Sequence, residues 1–123
     1  MNVHQVDEVV GTLFPAGRHT RVLVGPGGPI EARGFVMGHV TIFPGGAVPL
    51  HSHEQEEVYF IATGEGVIEI DGIQDPVRAG SYVYMQPGST HTLRNGGTEN
   101  MVMLFCYAPK GVVDHWQQEL AHS

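Results

Sequence analysis

The sequence predicts an all-β domain built as a sandwich or small barrel, and two observations carry that reading. Seventeen glycines and eight prolines are spread along the 123 residues and not gathered in one tract, which is the distribution of turns between many short elements. Between them lie strand-length runs rich in valine, isoleucine and aromatic residues, none with a helical period: HTRVLVG, GFVMGHVTIF, EVYFIAT, GVIEIDG, SYVYMQ, HTLRN and NMVMLFCYA.

The tight turns between strands come from GPGGP at 25–29, PGG at 44–46 and PGS at 87–89. In the second run Val40 and Ile42 are apolar and face inward, which leaves His39 and Thr41 on the other face. GVIEIDG alternates apolar Val67, Ile68 and Ile70 with acidic Glu69 and Asp71 and ends in the hairpin dipeptide Asp71-Gly72, so residues 65–78 read as a hairpin. In HTLRN, Arg94 faces out if His91 faces in. Cys106, within the apolar run MVMLFCYA, reads as a buried strand residue. At the end of the chain GVVDHWQQELAHS places Val112, Trp116 and Leu120 at four-residue steps, predicting a short C-terminal helix over about 111–121 that packs on one end of the barrel.

Composition limits the function classes. The length suits one domain over 1–123 with a core that needs no disulfide staples. Thirteen acidic against six basic residues give a formal charge of −7, which disfavours nucleic acid and anionic membrane surfaces as partners. No apolar run approaches the roughly 18 residues of a membrane span. The single cysteine forms no intramolecular disulfide, and MNVHQVDEVVG lacks the basic-then-apolar pattern of a secretory signal. The expected location is the cytoplasm.

The chemistry concentrates in HSHEQEE at 51–57 and in the spacing around it. Gly45, His51, His53, Glu57 and Gly64 fall in the pattern G-x5-H-x-H-x3-E-x6-G, and Gly80, Gly88, His91 and Asn95 follow in GSYVYMQPGSTHTLRN. These blocks resemble the paired signatures of the cupin family, with one departure: Gln86 stands where the family usually has proline. The resemblance covers about residues 34–107 and implies a double-stranded β-helix or jelly-roll barrel, in agreement with the strand spacing.

The spacing has its own physical sense. Side chains two apart on a strand share a face, so His51, His53 and Glu57 are expected to point together into the barrel, where His91 joins them from a distant strand. Three imidazoles and a carboxylate suit one divalent transition metal per chain, iron, manganese, nickel, cobalt, copper or zinc, better than calcium or magnesium. Four protein ligands leave one or two positions open for water or substrate. Tyr59 continues the parity of Glu57 inward, and the two are the candidate catalytic residues. Gln55 shares that parity and lines the cavity unless the turn swings it to solvent, whereas Glu54 and Glu56 face water.

Cupins include dioxygenases, decarboxylases, isomerases, lyases and binding modules, so the resemblance does not choose a reaction. The leading expectation is a mononuclear metalloenzyme acting on a small oxygen-rich substrate that chelates the metal, by dioxygenase or by isomerase or lyase chemistry. The alternative is a non-catalytic module that binds or senses a small molecule through the metal. The resemblance also suggests a homodimer paired through its sheets.

Overall fold

Residues 2–111 and Leu120 are described by the computed structural model of the chain. After a single 3-10 turn at Val6–Glu8, the strands run in chain order as β1 (Thr12–Phe14), β2 (Arg18–Val24), β3 (Val36–Ile42), β4 (Ala47–His51), β5 (Glu56–Thr63), β6 (Glu65–Ile70), β7 (Ile73–Arg78), β8 (Tyr82–Met85), β9 (His91–Arg94) and β10 (Met101–Ala108). Among the described residues they form a six-stranded sheet in the order β1-β2-β3-β10-β5-β8 and a four-stranded sheet in the order β4-β9-β6-β7. All of the strand pairings are antiparallel. No helix among the described residues is long and apolar enough to cross a membrane.

Alternation decides which face of each strand is buried. In β3 Val36, Gly38, Val40 and Ile42 are inward, in β5 Glu57, Tyr59 and Ile61, and in β10 Met101, Met103, Phe105 and Tyr107. Register lines these residues up in rows across the large sheet: Glu57 pairs with Tyr107, Tyr59 with Phe105, Phe105 with Gly38 and Met103 with Val40. Ile68, Val77, Leu93 and Val48 from the small sheet complete the core. Gly38 is required by this packing, because a Cβ there would lie 2.3 Å from the Phe105 ring, well inside van der Waals contact.

The expected hairpin at 65–78 is present, with Ile70 opposite Ile73 and with Asp71 (φ 49°) and Gly72 (φ 83°) at the left-handed positions of a two-residue turn. Val40 and Ile42 are buried and Arg94 is exposed, as their parity required. Cys106 corrects the sequence reading: it is exposed, because Phe105 and Tyr107 take the inward positions of β10 and parity turns the residue between them outward. β1 escaped sequence reading because three residues carry no alternation, and β4 because Pro49 interrupts it. β4 tolerates the proline as an edge strand of its sheet. The C-terminal helix expected over 111–121 falls on residues 112–119 and 121, which lie outside the described residues.

Asn95 explains one of the spaced positions noted in the sequence. It is 1% exposed, and its side-chain amide donates to Ile42 O at 2.9 Å and Glu99 O at 2.7 Å while its Oδ1 accepts from Gly97 N at 3.0 Å. Its backbone also exchanges hydrogen bonds with the turn between β3 and β4, through Gly45 N and Gly46 O. Asn95 thus fixes the start of β4 against the end of β9. Replacing it with alanine leaves buried polar atoms without partners, so Asn95→Ala is expected to cost about 2–4 kcal/mol. Urea unfolding measures this, and a change below about 0.5 kcal/mol would mean that the network is not structural.

Candidate metal centre

β4 and β9 bring two imidazoles together, edge to face. His51, the last residue of β4, pairs directly with His91, the first of β9, and their ring centroids lie 4.2 Å apart. A register shift between Val48 and His51 makes this pairing possible, and the Thr92 hydroxyl donates to Val48 O at 2.6 Å within it. The chain then leaves the small sheet, and residues 52–55 cross to the large sheet with His53 on the crossing. Glu57 arrives as the second residue of β5. The expectation that His51, His53 and Glu57 share one strand is therefore corrected: parity holds, but a loop between two sheets brings them together.

The ligand loop is held from the far side. Gln86, Pro87, Gly88 and Ser89 form a turn in which Ser89 N donates to Gln86 O at 3.1 Å, with Gly88 at φ +80°, the position of a type II turn that requires glycine. Gly88 N donates to His53 O at 2.9 Å, so the turn before His91 clamps the loop that carries His53. Position 86 supplies this turn with its carbonyl, which also accepts from the Ser89 hydroxyl at 2.8 Å. A glutamine does that as well as a proline.

Each imidazole is oriented by the main chain. Nδ1 donates to Pro49 O at 2.7 Å in His51, to Gln55 O at 3.0 Å in His53 and to Ser89 O at 3.3 Å in His91. These bonds place a proton on Nδ1 and aim Nε2 into the cluster, the arrangement in which histidines bind metals. Gln55 thus contributes its backbone carbonyl. Glu57 Oε1 stands 3.1 Å from His53 Nε2 and 3.3 Å from His91 Nε2. Burial pushes the Glu57 carboxyl up, but hydrogen bonds and charges from His53 and His91 outweigh it and hold the group below its ordinary value. The hydrogen bond to Glu57 raises His53 against the opposing effect of burial.

The donor set fits a transition metal. One ligand atom from each of His51, His53, Glu57 and His91 lies within 4.8 Å of all the others, close to twice a metal–ligand bond of roughly 2.0–2.2 Å. His91 Nε2 is buried without a well-formed hydrogen bond. It stands 3.3 Å from Glu57 Oε1, and a cation held between the two would be coordinated by both.

His51, His53 and Glu57 line a pocket whose wall also includes Val40, Val48, Tyr59, Met103, Phe105 and Tyr107. The pocket is a narrow slot with room for about one water. Tyr59 is 2% exposed with its ring centroid 6.0 Å from that of His91. Burial, and then the charge on Glu57, push the Tyr107 phenol up to about 12. The neutral hydroxyl donates to Gly111 O at 3.3 Å. Glu54 and Glu56 face water as expected, and Tyr84 donates to Glu56 at 3.0 Å. Sequence reading missed Arg18 and Thr20, which border the same pocket. The available signal was the alternation Arg18, Thr20, Val22 on β2, which puts a cation and a hydroxyl on a core face.

Comparison with known proteins agrees with this geometry. A family model described as "Cupin domain" matches residues 38–107, more than half of the chain. The chain is 39% identical over 70 residues to the oxalate-binding protein of Thermotoga maritima, a match covering 56% of this chain and 58% of the relative. It is 30% identical over 76 residues to the dimethylsulfoniopropionate lyase DddW of Ruegeria pomeroyi, covering 62% of this chain and 49% of the relative. The chain thus spans between 49% and 58% of these two curated relatives. Its fold superposes, with a TM-score of 0.75 at 20% identity, on the crystal structure of a Thermotoga maritima protein described as a predicted oxalate decarboxylase, covering 87% of this chain and 98% of that one.

Two outcomes are expected. Elemental analysis should find close to one transition-metal ion per chain, and a His51→Ala, His91→Ala double variant that remains folded should lose it; unchanged metal content would refute the ligand set. A metal also displaces any proton on its ligands, so apparent affinity falls as pH is lowered. Because Glu57 raises His53 above its ordinary 6.5, proton competition begins above that pH and then weakens binding by roughly tenfold per unit. Chelator competition at a series of pH values measures the slope, and a flat profile would remove His53 from the set.

Proposed function

Since the chain belongs to the cupin family, we propose that it is a mononuclear transition-metal enzyme acting on a small oxygen-rich substrate that chelates the metal. The carrying observation is the convergence of four ligand atoms, with His51, His53 and Glu57 lining a narrow pocket. His51, His53, Glu57 and His91 would hold the ion. When bound, it supplies Lewis acidity and open positions for substrate oxygens.

The protein's own part is orientation, charge and exclusion of water. Three backbone carbonyls keep the imidazoles in the ligating tautomer. Glu57 brings the negative charge that reduces the net charge of the centre, and Val40, Val48, Met103 and Phe105 narrow the space so that a bound substrate displaces water. Tyr59 borders the reacting space and belongs with Glu57 in the candidate catalytic pair. A relative named for lyase activity supports chemistry at such a site, and the isomerase or lyase branch needs no oxidant. The second reading, a metal-dependent binding module, is favoured by one specific observation: the relative with 39% identity is named for oxalate binding. The exposed outer face of β5 and β8, with Val58, Phe60, Tyr82 and Tyr84, supports a homodimer in the same reading.

Glu57→Gln separates catalysis from binding, because it removes the charge while nearly keeping the shape. In an enzyme, turnover should fall by roughly 10–100-fold in protein that still carries metal. The assay is a panel of sugars, 1,3-dicarbonyls, phenols, hydroxy acids and sulfonium compounds on metal-loaded wild type and variant. Binding of panel members without transformation of any would favour the binding module.

A further inference from the structure

Of the three imidazoles, His91 has the longest bond to the main chain, 3.3 Å to Ser89 O against 2.7 Å in His51 and 3.0 Å in His53. The direction of its Nε2 therefore depends most on where its own backbone stands. His91 opens β9, a strand of four residues, and upstream of it residues 86–90 cross from the end of β8 in the large sheet. Strand pairing holds His91 against His51 and Ile70. The turn before it needs an anchor of its own.

Asp71 supplies that anchor from the tip of the β6–β7 hairpin. Its Oδ1 accepts from Thr90 N at 2.9 Å and from the Thr90 hydroxyl at 3.2 Å, and its own N–H donates to Thr90 O at 2.9 Å. One residue thus holds Thr90 by its N–H, its carbonyl and its side chain. Asp71 is also the only residue other than glycine at positive φ among the described residues, and a backbone in that region accepts glycine more readily. What glycine lacks is the carboxylate. The anchored turn carries Gly88 N, which donates to His53 O, and Ser89 O, which accepts from His91 Nδ1. An anchor at Thr90 therefore bears on His53 and His91 together, while His51 and Glu57 are placed by their own strands.

We propose that Asp71 is a positioning residue of the metal centre, whose carboxylate fixes from outside the pocket the turn that orients His53 and His91. The proposal rests on the metal reading above and adds a residue to the frame of that site. Asp71 and Thr90 are both exposed, so the Thr90 donors pass to water when the carboxylate is removed, and folding loses little. Coordination is less tolerant. Metal–ligand distances are held to within about 0.2 Å, so a small shift of the freed turn misplaces two ligand nitrogens.

The experiment is cobalt binding by metal-free protein, read as affinity in competition with a chromophoric chelator and as the visible d–d spectrum of the loaded protein. Thermal melting of the metal-free form is measured beside it. Asp71→Gly should weaken cobalt binding by about tenfold, the lower end of the loss seen when the support behind a metal ligand is removed. It should also shift the d–d bands, which a purely structural role would leave in place, and its metal-free form should melt within a few degrees of wild type. Asp71→Asn keeps an acceptor oxygen and suits the same φ, so it should recover most of the affinity. Thr90→Val tests the contact from its other partner: it keeps the backbone bonds, loses the hydroxyl, and should lie between wild type and Asp71→Gly. Wild-type affinity and spectrum in Asp71→Gly would overturn the proposal, as would an Asp71→Asn no tighter than Asp71→Gly. A weaker affinity with an unchanged spectrum and a matching loss of stability would make Asp71 a residue of the fold alone and overturn it too. The metal reading fails at a different step, since a wild type that takes up no cobalt overturns both.

Discussion

The site depends on a seam between two sheets. His51 and His91 belong to the small sheet and face each other as a paired couple, whereas Glu57 belongs to the large sheet, in register with Tyr107. Residues 52–55 are the strap across the gap, and His53 is on it. A cluster whose members all came from one sheet would spread with the twist of that sheet. Here the two sheets close on the cluster from either side, and the turn at 86–89 holds the strap through Gly88 N and His53 O. The backbone carbonyls of Pro49, Gln55 and Ser89 belong to the same device. They satisfy the imidazole Nδ1 atoms locally, so each Nε2 is directed by the chain path.

Much of this was legible in the sequence because strand alternation and glycine spacing are local signals. The strands carrying the core rows and the hairpin at Asp71-Gly72 follow from them, and the set His51, His53, Glu57 and His91 follows from the resemblance to the cupin signatures. The path of the chain between ligands was not legible. Parity on a continuous strand and a strap of four residues place the same residues inward, and only the bulge in β4 and the hydrogen bond from Gly88 distinguish the two. Cys106 shows the same limit, since an apolar run does not say which of its members a two-faced strand buries until Phe105 and Tyr107 fix the phase. Arg18 and Thr20 were hidden for a related reason: a charged residue on a strand reads as its solvent face unless the neighbouring strands show that the face is covered.

The inward face of the large sheet also explains how a polar centre survives in a domain of this size. Ile61 and Met101 pack the deep rows and are completely buried, next to Ile42, so the stabilising burial lies at a distance from the cluster. The rows nearer the metal change to Tyr59 and Phe105, and then to Glu57 and Tyr107, large rings that keep water out while tolerating polar atoms at their edges. Before a metal arrives, the His53 imidazolium can donate through both ring nitrogens, to Gln55 O and to Glu57. That proton occupies the direction a metal bond would take. The metal-free cluster therefore does not confront the folding chain with an unpaired buried carboxylate, which would cost several kcal/mol. Loading an ion would then be an exchange of cations within a preformed frame, in which His91 Nε2, buried without a well-formed hydrogen bond, would gain a partner.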